Sequence, residues 1–206
     1  MPTNVANSQY FIESLVHNVL VYASRATGED ISNLNVYMGG DGRLLNSFAT
    51  ELALRVMTGD GVKRVRLAKR GTLTTSEAIS TMESKKGDMR KKGTLALVWT
   101  ATDRKSGLRG CVGLQLVLQK QGETQTPFVV DREGWANIGN DMSKCSEVGM
   151  VSKRPSAIAS PVERLDFCGM DVRPFSPPPK LLASLQSEYD FPALRSFLEK
   201  SGLYFT

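Results

Sequence analysis

The chain has 206 residues, 41% of them hydrophobic and 23% charged, enough for one α/β domain with a real core and too apolar for a disordered segment. No apolar run approaches the roughly 20 residues that a membrane-spanning helix requires, and residues 1–8 show neither a secretory nor a transit pattern, so the expected setting is intracellular. The net charge of +5 is uneven, with 13 Lys and Arg against 4 Asp and Glu in residues 61–110, a local +9 that leaves −4 elsewhere and suits an acidic partner.

Ser8 reads as an N-cap for a first helix in which Ile12, Val16, Leu20 and Phe11, Leu15, Val19 form a wide apolar stripe. The run Leu34 to Met38 stops at Gly39-Gly40, the pattern of a strand entering a loop. Ser47 reads as the cap of a second helix that carries Phe48, Leu52 and Val56 on one face and stops at Gly59 and Gly61. Val62 to Ala68 alternates as a strand, Val65 and Leu67 on one side, Arg64 and Arg66 on the other. Thr74 or Thr75 is placed to cap a short helix through Ile79 and Met82, ahead of a charged run from Lys85 to Lys92. Thr94 to Trp99 and Cys111 to Leu118 read as buried strands, the second with Val112, Leu114, Leu116 and Leu118 on one face.

Residues 119–162 give no clear pattern and are expected to be loop-rich. Val162 to Val172 reads as a late strand, Pro174 to Pro179 excludes helix interior, and Leu181 to Leu198 reads as two short helices meeting near Asp190-Phe191-Pro192. Strands alternating with helices imply βαβ units and a largely parallel sheet. The three cysteines, Cys111, Cys145 and Cys168, are far apart and read as buried or incidental thiols, and the lone histidine, His17, as a helix-surface residue. Together they leave little material for a zinc site or a Ser-His-Asp triad, and no metal or cofactor is expected.

Three stretches in order carry a resemblance: Gly39-Gly40-Asp41-Gly42-Arg43-Leu44-Leu45-Asn46, Gly71-Thr72-Leu73-Thr74-Thr75, and Val98-Trp99-Thr100-Ala101. They resemble the G-G-D-G-R-x-x-N turn, the G-x-L-[ST]-T-P turn and the approach to the catalytic T-A-S-H-N-P loop of the phosphoglucomutase branch of the phosphohexomutases. Tyr189 to Arg195 is similar to the F-D-F-x-A-L-K segment that closes the family's first domain. The resemblance covers about residues 8–200, with 119–162 mostly unmatched. It implies a single three-layer α/β domain, a largely parallel mixed sheet flanked by helices, spanning 1–179, with a helical segment at 180–206 packed on it.

The same resemblance implies lost chemistry. Phosphohexomutases transfer phosphoryl groups through a phosphoserine, and the matching loop here reads Thr100-Ala101-Thr102-Asp103-Arg104-Lys105: Thr102 stands for the serine, Asp103 and Arg104 for the histidine and asparagine, and Lys105 for the proline. The family's G-T-S-G-L-R segment and the metal, sugar and phosphate sites of its later domains have no match in the sequence. The expectation is a non-catalytic domain serving as an accessory or interaction subunit of a larger assembly, docking through Lys63, Arg64, Arg66, Lys85, Lys86, Lys91 and Lys92. Arg104, Lys105 and Arg109 are candidates for holding an anion such as a phosphosugar, against a plain solvated loop. An enzyme dependent on Thr102, or completed by a partner, is the remaining catalytic reading. Nucleic acid is disfavoured because Trp99 is the only aromatic residue between Gly61 and Gly110. The glycine turn at 39–43 has two readings, a tight strand-to-helix connection or a ligand cradle, and its missing functional neighbours favour the first.

Overall fold

The structure is a computed structural model that describes residues 2–42, 44–84, 92–101, 112–122, 126–155, 163–177 and 190–201. It opens on helix α1, Pro2–Thr27. Ser8 therefore lies inside the helix rather than at its cap; a proline in the first turn gives up only an N–H that has no helical partner there. A 3-10 turn at Ile31–Asn33 leads into strand β1, Asn35–Gly40, followed by α2, Leu44–Gly59. Ser47 is likewise within α2, because the helix begins directly after the glycine turn.

Strand β2 is Arg64–Thr72, α3 is Thr75–Glu83, β3 is Thr94–Ala101 and β4 is Val112–Gln119. The expected loop-rich region contains strand β5, Phe128–Val129, and helix α4, Arg132–Met142, capped by the Asp131 side chain accepting from Gly134 N at 2.9 Å. The late strand is two: β6, Leu165–Phe167, and β7, Met170–Phe175, pair antiparallel across a two-residue turn. Cys168 and Gly169 take φ of 52° and 87° there, as such a turn demands. Of the expected C-terminal helical segment only 190–201 are described; they form α5, Phe191–Ser201, in which no residue is buried.

The described strands form one mixed sheet in the order β5-β4-β3-β1-β2-β7-β6. β1 pairs parallel with β2 and β3, and β2 with β7; the outer pairings are antiparallel. Strand periodicity splits the core between two faces. Val36, Met38, Val65, Leu67, Leu95, Leu97, Trp99, Leu116 and Leu118 meet α1, α2 and Ile138 of α4 on one side, while Tyr37, Ala68, Ala96, Val98 and Val117 meet Ala78 and Met82 of α3 on the other. Helices thus flank the sheet in three layers.

His17 is half-buried rather than free on the surface: its Nδ1 lies 3.0 Å from both carboxylate oxygens of Asp60 and ties α1 to the end of α2. Arg55, buried in α2, donates from Nε to the Val151 carbonyl at 2.9 Å and holds the 148–151 strap on that helix. Cys145 is half-buried and Cys168 exposed; Cys111 lies outside the described residues. No described helix is long and apolar enough to cross a membrane.

Candidate functional site

The crossover from β1 through α2 to β2 runs to one side, and that from β2 through α3 to β3 returns past β1 to the other. Strand order therefore reverses around β1, and the carboxyl ends of β1 and β3 form the crevice in which open α/β sheets place ligands. The three sequence motifs converge there. Gly39 is in register with Val98 and Gly40 with Trp99 on one side, and Gly40 with Thr72 on the other.

The close approach explains both glycines. A Cβ on Gly39 would lie 2.5 Å from Leu73 Cβ and 2.9 Å from Ala68 Cβ; one on Gly40 would lie 2.5 Å from the Trp99 carbonyl oxygen and 2.6 Å from Asn46 Nδ2. Leu73 N donates to Gly40 O at 2.8 Å and Asp41 N to Trp99 O at 3.0 Å. The Asp41 carboxylate accepts from Asn46 Nδ2 at 2.6 Å, just ahead of the positive end of α2, where a carboxylate is favoured. Gly42, at φ +78°, completes the turn. The arrangement fits a tight strand-to-helix connection. Among the described residues, Asn46 Oδ1 and Trp99 Nε1 are buried without a hydrogen-bond partner.

At the second motif Thr74 closes a capping box: its hydroxyl accepts from Glu77 N at 3.2 Å while Glu77 Oε2 accepts from Thr74 N at 2.8 Å. Thr75 Oγ1 bonds to Gln115 Oε1, joining the start of α3 to β4. At the third, Thr100 pairs with Gly113 and Ala101 with Val112, the last described pairs of the antiparallel β3–β4 ladder, beside the crevice.

Thr102, Asp103, Arg104, Lys105 and Arg109 lie outside the described residues, as do Lys85, Lys86 and Lys91. Lys63 and Arg64 are exposed at the start of β2, and Lys92 is half-buried just before β3; all three sit at the opposite end of the strands from the crevice. Arg66 is half-buried, its guanidinium 5.9 Å from the centre of the Tyr37 ring. Burial raises the Tyr37 hydroxyl pKa and the Arg66 charge opposes that shift.

A feature the linear sequence concealed lies next to Arg64 and Arg66. Asp171 on β7 accepts from Arg173 Nε at 2.7 Å and Arg164 Nε at 2.6 Å, and the Arg173 hydrogen bond, ahead of Arg164, holds its carboxyl below the ordinary value. No group of three or more His, Cys, Asp and Glu among the described residues is placed to hold a metal ion, and the sequence contains no Asp-Gly-Asp triplet.

No protein-family model matches the chain. It is 23% identical over 183 residues to the probable phosphoglucomutase, cytoplasmic 1, of Arabidopsis thaliana, covering 87% of this chain and 30% of that protein. It is 25% identical over 177 residues to the chloroplastic phosphoglucomutase of the same plant, covering 86% and 26%, and 24% identical over 196 residues to the cytoplasmic enzyme of Solanum tuberosum, covering 92% and 32%. The chain thus spans about 30% of the length of the first of these relatives. Among solved structures, the open form of the exocytosis-sensitive phosphoprotein pp63/parafusin, a phosphoglucomutase from Paramecium, matches 98% of this chain and 36% of its own at a TM-score of 0.68 and 16% identity. With its fold and its sequence relatives pointing the same way, the chain is a phosphoglucomutase-like α/β domain.

Proposed function

We propose that this domain is non-catalytic and works by binding other proteins, as an accessory or structural subunit of a larger assembly. The observation that carries the reading is a kept frame beside an altered loop. Gly39, Gly40, Thr72 and Trp99 interlock at the ends of β1, β2 and β3, whereas the chain leaving β3 reads Thr102-Asp103-Arg104-Lys105 where the resemblance calls for Ser, His, Asn and Pro. Phosphoryl transfer depends on positioning and on neutralising charge. Asp103 sets a carboxylate beside the acceptor position, and the extra methyl of Thr102 narrows the rotamers its hydroxyl can use. The frame serves folding whether or not the chemistry survives, since fold and function are separate demands on a sequence.

The test is gentle purification of the native protein with mass determination of whatever migrates with it, alongside titration with glucose 1-phosphate. The reading expects stable co-migration in a larger complex and no saturable sugar-phosphate binding. A protein that runs alone, and binds glucose 1-phosphate in a way that Arg104→Ala with Lys105→Ala abolishes, would replace it with a ligand-binding module.

A further inference from the structure

On the side of the sheet that carries α3, the register places an arginine group across three strands. In a parallel pair, residues in register share a face. Arg64 is opposite Asp171, Arg66 opposite Arg173, and Tyr37 opposite Arg66, while Asp166 of β6 is opposite Asp171. Arg164 joins from the chain entering β6 through its bond to Asp171.

Two guanidiniums, those of Arg164 and Arg173, thus close on Asp171, with Arg64 and Arg66 in register on the neighbouring strand. Asp171 holds two arginines at once, and Asp166 accepts from Gly169 N at 3.0 Å in the hairpin turn. The arginines remain open to solvent, with side-chain exposures of 67% for Arg164 and 49% for Arg173, and Arg64 is exposed. Like charges directly opposite on a sheet destabilise it, and here the Arg66–Arg173 pairing is offset by the Asp171 carboxylate on Arg173 and the Tyr37 ring beneath Arg66. The group lies on the first half of β2, away from the crevice at the strand ends.

We infer that Arg64, Arg164 and Arg173, arranged around Asp171 on the β2–β7–β6 face, dock an acidic, Asp- and Glu-rich segment of a protein partner. The inference rests on the proposed interaction role and names the partner's chemistry. Guanidinium forks fit carboxylates bidentately. Asp171 fixes two of them in place before a partner arrives, which lowers the ordering cost of binding. A nucleic-acid strand suits the face less well: the aromatic rings among its described residues, Tyr37 and Phe175, are 4% and 8% exposed, Tyr37 beneath Arg66, so bases have nothing to stack on.

The test titrates the full chain with a dodecapeptide of glutamate, its glutamine counterpart and a single-stranded oligothymidylate, and runs native co-purification in parallel. The expected result is binding of the glutamate peptide alone, weakened by salt and about tenfold weaker in Arg64→Gln with Arg173→Gln, the order of one charge-assisted hydrogen bond lost. Lys153→Gln, exposed just past the strap along α2, should leave it unchanged, and Arg164→Gln supplies a second exposed variant if the double variant melts early. Peptide binding that is absent or indifferent to these arginines overturns the inference, as does tighter binding of the oligothymidylate. If the double variant keeps the co-migrating protein of the wild type, this face is wrong and the interaction role stands; if the wild type migrates alone, the role itself falls.

Discussion

A methyl group at Gly40 would have to displace either the Trp99 carbonyl or the Asn46 amide, which lie 2.5 and 2.6 Å from its position. Gly40→Ala is therefore expected to cost about 1–3 kcal/mol, typical of overpacking, read as a lower urea midpoint at unchanged slope. Asp60 gives a pH signature instead. Burial is the larger influence and holds its carboxyl above the ordinary 3.8, with the His17 hydrogen bond pulling the other way. The folded chain therefore binds this proton more tightly than the unfolded chain. The group's contribution is fully present below 3.8 and is lost as pH rises through the raised value. Asp60→Asn should flatten that part of the stability curve in thermal melts between about pH 3 and about pH 6; an unchanged slope would refute the burial account. The His17–Asp60 contact spans 43 positions in sequence, and only packing of α1 on α2 creates it, so a reading of local pattern leaves His17 on the surface.

At the scale of elements, local chemistry decided what was legible. Thr74 and Glu77 have capping-box spacing in the sequence, and both reciprocal bonds form. Thr74→Ala should cost about 0.5–2 kcal/mol, with Thr74→Ser recovering most of it, measured by chemical denaturation. Helix α4 was hidden because Gly134 and Gly139 lower its propensity by about 1 kcal/mol each relative to alanine. Its signals were the Asp131 cap and the helical spacing of Trp135, Ile138 and Met142, all of which pack on the core. Asp131→Ala is expected to loosen α4 first, seen as faster amide exchange there than in α1. In sequence the β6–β7 hairpin reads as one strand because its turn has only two residues and opens on Cys168, which takes a positive φ that the sequence does not announce.

For the molecule as a whole, three short motifs far apart in sequence meet on neighbouring strand ends because the crossovers from β1 to β2 and from β2 to β3 bring β2 and β3 against β1 on either side. That much was readable from glycine spacing and motif order. The grouping of Arg64 and Arg66 with Arg164 and Arg173 was not, since it depends on β7 returning parallel to β2 about a hundred residues later. The molecule thus separates two ends of one sheet, an interlocked turn at the carboxyl ends of β1 and β3 and a basic face with its own geometry. The measurement that bears most directly on the non-catalytic reading is the intact mass of the purified chain after incubation with glucose 1-phosphate, with fragment mapping of residues 102–111. The account predicts no added phosphoryl group. Phosphothreonine at Thr102 with free glucose released, or net turnover of glucose 1-phosphate to glucose 6-phosphate, would contradict it.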